Sequence, residues 1–396
     1  MKLVFAPDSF KGSLRSAEMT EILSEEAAKV FPEAELVCIP IADGGEGTVE
    51  ALIASCGGTL ESAMTLGPDG APVQAVYGLM DGGTTAVVEM AQASGLPLAG
   101  EDANPMMASS FGTGLLIRQC LELGVSKLYV GLGGSATNDG GMGMLTALGA
   151  RFLDARGNIL TGSGSELKLI DRIELDGLMP EIFATEIHVI ADVNNPLLGE
   201  TGATYVYGPQ KGATDMMLLQ LEEGMKHYAN MLEAAIKRYA DSLNIITGRD
   251  IRHEPGVGAA GGMGAALYGV MNGTLCAGID AMLETVRFAE RVQGADLLIT
   301  GEGRLDEHSI VYGKICGMIA ARCAQAGIPV IALVGSMGPG AAALYEIGQT
   351  SIMTVVNEPM TVKQAIENAR DLYRDAASRM FRMLRMGQGM KEILNS

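Results

Sequence analysis

The sequence predicts an α/β protein. A doubly wound parallel-sheet domain is assembled from both chain ends, and a second α/β domain is inserted between them. Two observations carry this. Short apolar runs alternate with helical periodicities near both ends of the chain, joined by short loops, which is how parallel strands linked by helices read. The middle differs: β-like pieces, Gly-Pro-Asp-Gly and Asp-Gly-Gly turns, and glycines clustered at irregular spacing. At 396 residues the chain has room for both domains. The expected boundaries are 1–62 plus 285–396 for the outer domain and 63–284 for the insertion.

The elements follow in order. Lys2–Ala6 is a short apolar run suited to a buried parallel strand. Ser16–Phe31 has helical periodicity, with Ser16 as its cap ahead of Ala17-Glu18. Leu36–Pro40 is a second strand, running into a glycine-rich turn and then a helix from about Thr48 to Cys56. The middle has β-like pieces from Glu61 to Thr85 and helices at Thr113–Leu123, Thr214–Tyr239 and Gly261–Val270. The end resumes the alternation: strand Asp296–Thr300, helix Lys314–Gln325, strands Val330–Val334 and Ser351–Val355, and a long helix Thr361–Met386.

Composition narrows the function. With 28 Lys and Arg against 47 Asp and Glu, the net charge of −19 repels phosphate backbones and anionic lipid. Neither a nucleic-acid nor a membrane partner is expected. Six cysteines form no C-x-x-C pair, which suits reduced thiols in the cytoplasm. Four histidines form no H-x-x-x-H pair, which argues against a zinc hydrolase. The uncharged stretch Gly256–Ile279 carries eight glycines and no flanking Lys/Arg cluster, so it reads as a buried loop and helix. Its G-x-G-x-x-G, Gly256 to Gly261, follows a polar segment ended by Pro255 instead of a strand. It therefore reads as close packing and not as a nicotinamide fingerprint.

Polar glycine-rich segments sit where strands should end, the edge at which open α/β sheets bind ligands. They are Ala6-Pro7-Asp8-Ser9-Phe10-Lys11, Ala42-Asp43-Gly44-Gly45-Glu46-Gly47-Thr48, and Gly301-Glu302-Gly303-Arg304-Leu305-Asp306. In the middle, Gly131 to Gly143 runs from a strand through a polar loop into a helix, presenting backbone N–H groups to a phosphate. His188 to Pro196 ends a strand on Asp192, Asn194 and Asn195. Lys11, Lys211, Arg304 and Lys314 are cations in Gly-rich or strand-end contexts of a very acidic chain. Beside several carboxylates they suggest Mg²⁺-dependent handling of a phosphoanion.

Taken together, the segments resemble the bacterial glycerate kinase family, the two-domain type without a Walker loop. The matching stretches are Ala6–Lys11, Ala42–Ala51, Gly133–Gly141, Asp192–Pro196, Gly208–Ala213, Gly258–Gly264 and Gly301–Asp306, in family order across nearly the whole chain. One segment departs from the pattern: His308 to Lys314 has His where the family has Gln, and one residue more before Gly-Lys. The resemblance implies a flavodoxin-like outer domain, an inserted domain of restriction-enzyme-like topology, and ATP, Mg²⁺ and D-glycerate. The implied reaction is transfer of the γ-phosphoryl group to the 2-hydroxyl. A kinase or phosphatase for a related hydroxy acid and a non-catalytic sugar-acid-binding protein are the alternatives. A cytoplasmic monomer or homodimer is expected.

Roles are assigned on that frame. Lys11 and Arg304 meet the glycerate carboxylate, with Asp8, Ser9 and Asn195 also lining the substrate. Gly133, Gly134, Ser135, Asn138, Asp139, Gly140, Gly141 and Lys211 hold the nucleotide. Asp43 or Glu302 holds Mg²⁺. Asp192 is the general base, because a carboxylate ending an apolar strand should be partly desolvated and more basic. Asp8, Asp43 and Glu302 are expected to face Asn138 and Asp192 across a cleft that closes on substrate.

Overall fold

The computed structural model describes residues 1–42, 44–243, 249–311 and 315–395. They fold as two compact units, Met1–Asp43 with Glu50–Cys56 and Ile279–Ser396, and Gly44–Val49 with Gly57–Gly278.

The first unit is built on a five-stranded parallel sheet. Its strands lie in the order Glu35–Cys38, Lys2–Pro7, Leu297–Gly301, Val330–Val334, Thr350–Thr354. Numbered along the chain this is 2-1-3-4-5, the flavodoxin-like order, which places the topological switch point between Lys2–Pro7 and Leu297–Gly301. The central strands are covered on both faces, which is why they read as unbroken apolar runs. Helix Ser16–Val30 packs Met19, Ile22, Leu23 and Ala27 on one face, the three-and-four spacing of a helical stripe. The C-terminal helix Ala369–Asn395 adds Leu372, Tyr373, Ala376, Ala377, Met380 and Phe381 to the same core.

Two local expectations need correction. Arg15, not Ser16, caps the first helix: its backbone N–H donates to the Glu18 carboxylate at 3.2 Å, so Ser16 is already helical. The predicted helix Thr361–Met386 is two helices, Val362–Glu367 and Ala369–Asn395. Asn368 leaves helical geometry between them, and its amide donates to the Gln364 carbonyl at 2.8 Å.

The second unit holds a mixed six-stranded sheet. Its order is Thr274–Ala277, Glu186–Ala191, Lys127–Gly131, Thr85–Glu89, Pro72–Met80, Thr59–Leu66. The first four strands are parallel, and the last three form antiparallel pairs. The hairpin turn is the predicted Gly-Pro-Asp-Gly: Asp69 accepts from the Ala71 N–H at 2.9 Å, and Gly70 takes φ +83°. Helix Phe111–Glu122 packs against strands Thr59–Leu66 and Thr85–Glu89, and helix Met142–Ala147 and the 29-residue helix Asp215–Leu243 share the same core.

The Gly256–Gly261 segment serves close packing, as expected. A Cβ on Gly258 would lie 2.2 Å from the Pro196 carbonyl oxygen, and one on Gly261 2.1 Å from that of Thr137. Among the described residues no helix is long and apolar enough to cross a membrane.

Candidate active site

The first unit gathers its polar residues at the carboxyl edge of its sheet. Pro7 and Gly301 are register partners, and the Asp8 N–H donates to the Gly301 carbonyl at 2.8 Å. Asp8 and Glu302 therefore leave adjoining strands at the switch point, where strand connections diverge and open a crevice. Both side chains are largely buried. The Ser9 N–H donates to Asp8 Oδ1 at 2.7 Å, which holds that carboxylate over the turn. Cys316 lies by the pair. Its thiol is raised well above its ordinary value, by burial first and then by the Glu302 and Asp8 charges. Gly301 admits no side chain, because its Cβ would sit 2.1 Å from the Leu333 carbonyl oxygen.

Two cations flank these carboxylates. Lys11 is exposed on the tight turn between Phe10 and Leu14, and the vacant side of Gly303 faces the Phe10–Lys11 backbone. Arg304 pairs with Ser336 in a short parallel bridge, which fixes its backbone and leaves its guanidinium exposed. Its Nε lies 3.6 Å from Asp306 Oδ2, an ion pair between residues two apart in the chain. Asp43 and Lys314 lie outside the described residues, as does the His308 side chain.

The second unit brings together a different set. Gly44–Val49, predicted as a loop of the outer domain, docks here. The Gly133 N–H donates to the Gly44 carbonyl at 3.2 Å, and a Cβ on Gly44 would run into Ile190. The Glu89 carboxylate accepts from Val49 N–H at 2.7 Å and Gly47 N–H at 3.4 Å, so it caps the helix Thr48–Cys56. Glu89 is not among the residues expected from the sequence. The signal was present: it ends an apolar strand just as Asp192 does.

The loop Gly131–Gly143 holds together differently from the expectation. Asp139 is fully buried and turned inward. Its Oδ2 accepts from Ser110 Oγ (2.6 Å), Ser110 N–H (2.8 Å) and Gly143 N–H (3.2 Å), and its Oδ1 from Gly141 N–H (3.0 Å). Burial raises its pKa, partly offset by these donors. The N–H groups opening helix Met142–Ala147 are thus directed at Asp139 and not at a ligand. Asp139 is a positioning residue.

The glycines are corrected in the same way. A Cβ on Gly133 would lie 2.5 Å from Gly45 Cα, on Gly140 2.4 Å from the Tyr228 ring, and on Gly141 2.8 Å from the Ala266 side chain. These positions are empty of side chain so that protein can pack there. Of the predicted ligand glycines only Gly134, φ +76°, has open space, with Ala91 at 3.4 Å as its sole neighbour.

What remains for a ligand is the turn Ser135 to Asn138. Lys211, almost wholly buried, lies beneath it and donates to Ser135 Oγ (2.8 Å) and the Thr137 carbonyl (2.6 Å). With the ammonium occupying an acceptor lone pair, the Ser135 hydroxyl keeps its proton for another partner. Asn138 Nδ2 donates to Thr204 Oγ1 at 3.2 Å, which orients the amide. Among the described residues Asn138 Oδ1 and Thr137 Oγ1 are buried with no hydrogen-bond partner. Native interiors seldom tolerate such groups unless water or a ligand answers them.

Burial draws the Lys211 ammonium down to about 7, with Asp139 pulling the other way. Between about pH 7 and its unfolded value of 10.5 the unfolded chain then holds one more proton than the folded chain. The destabilisation from Lys211 is full below about pH 7 and is relieved as pH rises through that window. Denaturant unfolding from about pH 7 to about 9.5 should show wild type gaining stability relative to Lys211→Met. A difference that stays flat with pH would show that Lys211 remains charged throughout.

Asp192 follows strand Glu186–Ala191, and the neighbouring strand runs into the Gly131–Gly143 loop, with Leu132 N–H donating to the Ile190 carbonyl at 3.0 Å. Here too the expectation changes: Asp192 is exposed and not desolvated, because the chain turns outward once the strand ends. It lies near Tyr207, whose hydroxyl is raised by burial and by the Asp192 charge. Asn195 is occupied by protein: Tyr207 Oη donates to its Oδ1 at 2.6 Å, and its Nδ2 donates to the Thr201 carbonyl at 2.8 Å.

Comparison with known proteins agrees with the motifs. A family model described as "Glycerate kinase family" matches residues 3–385. The chain is 42% identical over 372 residues to "Glycerate kinase" of Bacillus cereus, and 40% identical over 372 residues to "Glycerate 2-kinase" of Escherichia coli. Each match covers 94% of both chains. A crystal structure of a putative glycerate kinase 2 from Salmonella typhimurium LT2 superimposes with a TM-score of 0.85 at 37% identity, covering 98% of this chain and 99% of that one. With the motifs, the fold and the relatives spanning the same length, this chain belongs to the glycerate kinase family and is a kinase.

Proposed function

We propose that the protein transfers the γ-phosphoryl group of ATP to the 2-hydroxyl of D-glycerate, giving 2-phosphoglycerate. The observation that carries the acceptor position is the 40% identity, over 94% of both chains, to a protein named glycerate 2-kinase. The acceptor's carboxylate is assigned to Lys11 and Arg304, the two exposed cations at the switch point of the first unit. The nucleotide phosphates are assigned to Gly134 through Asn138. There the Ser135 hydroxyl is a donor, and Lys211 supports the turn from below. The unanswered Thr137 hydroxyl fits a phosphate oxygen by donating to it.

Mg²⁺ takes one or two carboxylates plus substrate oxygens, which a buried carboxylate such as Glu302, together with Asp43, suits. Bound there, it would neutralise charge on the transferring group. Asp192 is assigned to accept the proton of the attacking hydroxyl, on its position beside the phosphate loop. Exposure leaves it reachable by substrate, and the kinase barrier is lowered mainly by positioning and charge.

The test is an ATP-dependent assay over D-glycerate, L-glycerate and other small hydroxy acids, with the product's phosphorus position read by NMR. D-glycerate-dependent 2-phosphoglycerate is the expected result. A 3-phosphorylated product would overturn the regiochemistry. Phosphate release from 2-phosphoglycerate, with no transfer from ATP, would favour a phosphatase.

A further inference from the structure

The second unit carries a thiol, an imidazole and a carboxylate in series, none of them among the residues assigned above. Cys276 is half-buried on the edge strand Thr274–Ala277. Its Sγ lies 3.7 Å from His188 Nδ1, on the adjacent parallel strand. His188 Nε2 lies 2.7 Å from Glu186 Oε1, two residues earlier on the same strand face.

The proton positions follow from the partners. Glu186 is held below the usual carboxylate range, first by its hydrogen bond with His188 and then by Lys127, whose Nζ is 3.3 Å away. An ionised carboxylate only accepts, so His188 Nε2 must carry the proton that bridges them. In the neutral imidazole the lone pair then falls on Nδ1, the atom facing Cys276. Tyr129 stacks on the ring with centroids 5.0 Å apart and planes 22° from parallel, which fixes the imidazole's orientation. The Cys276 thiol has a second acceptor, the Thr274 carbonyl at 3.5 Å, but a carbonyl cannot take the proton away. Nucleophile, base and orienting group thus stand in the order that activates a cysteine.

Among the described residues the other five thiols show no such arrangement. Cys120, Cys316 and Cys323 are buried, and burial raises each thiol. Cys38 is raised by burial too, and its Sγ donates to the Thr20 carbonyl. Cys56 is exposed and donates to the Thr285 carbonyl.

We infer that Cys276 is a thiol-modification site, activated by His188 and Glu186, that forms mixed disulfides with small-molecule disulfides. His188 Nδ1 takes the Sγ proton, and the sulfur attacks one sulfur of the disulfide. A new S–S bond forms as the old one breaks, and the departing thiolate recovers the proton from the imidazolium. One thiol and one disulfide give a mixed disulfide and one thiol, with no net oxidation.

The probe is 5,5′-dithiobis(2-nitrobenzoate), with the adduct mapped by peptide mass spectrometry. Cys56 serves as the ordinary exposed thiol within the same molecule. At neutral pH, Cys276 is expected to react roughly tenfold faster than Cys56, since a free thiol is only a few per cent ionised there. The fast phase should vanish in Cys276→Ser. It should slow to the Cys56 rate in His188→Asn and to an intermediate rate in Glu186→Gln, with the Cys56 rate unchanged in all three. Labelling of Cys276 no faster than Cys56 in the wild-type chain would overturn the inference without recourse to any variant. A fast rate that survives His188→Asn would equally overturn the role given to the imidazole.

Discussion

Asp192→Asn is expected to lower kcat about 10²- to 10⁴-fold, the usual worth of general-base assistance. The substitution keeps the shape of a side chain that is exposed past the end of strand Glu186–Ala191, so folding should be little affected. The KM for ATP should stay within a few-fold of wild type, since the phosphates are assigned to Gly134–Asn138, whose turn is held by Lys211 and Thr204. Steady-state kinetics with far-ultraviolet circular dichroism separates the two effects. A folded variant retaining more than about a tenth of wild-type kcat would move the base to another carboxylate. Asp8 would come next, buried at the switch point. Asp139 would not, because its oxygens are taken by Ser110, Gly141 and Gly143.

Replacing Arg304 or Lys11 by Met should cost about 2–4 kcal/mol in kcat/KM, roughly thirty- to a thousand-fold, if each pairs with an oxyanion that substrate binding desolvates. Both cations are exposed without substrate, so neither should change unfolding free energy by more than about 0.5 kcal/mol. The Arg304–Asp306 pair is a surface interaction whose loss is minor. In a protein of net charge −19 an anionic substrate meets a repulsive field, so a few cations must supply most of the local attraction. Losses below about threefold for both variants would mark them as surface charges. A loss confined to KM for the acceptor would place them on bound substrate, and a loss in kcat would place them on the transferring group.

The outer domain was legible because parallel strands buried on both faces leave unbroken apolar runs: Val330–Val334 falls where expected, as does helix Thr48–Cys56. Element types follow local periodicity, and strand ends followed by Gly and Asp mark the ligand edge. Side-chain direction does not follow. Asp139, Gly133, Gly140 and Gly141 sit in a motif that suggests phosphate contact, yet Asp139 is held by Ser110 as well as by its own loop, and the glycines lie against Gly45, Tyr228 and Ala266, distant in the chain. Sequence neighbours cannot reveal which distant backbone will occupy a missing side chain's volume.

The sequence by itself determined the family, the strand–helix alternation and the short set of loops that carry charge. The tertiary structure alone decided which members of those loops face inward. Gly44–Val49 left the outer unit because Glu89 and the Gly133 N–H offered its backbone partners in the second, and backbone polar groups taken from water must be paired. The Ser135–Asn138 turn kept its polar atoms available because Asp139 absorbed the helix N–H groups and Lys211 bound the turn from beneath. Apart from the local Asp139 bonds, those outcomes rest on contacts between residues far apart in the chain, whose geometry exists only once the sheet has brought its strand ends side by side.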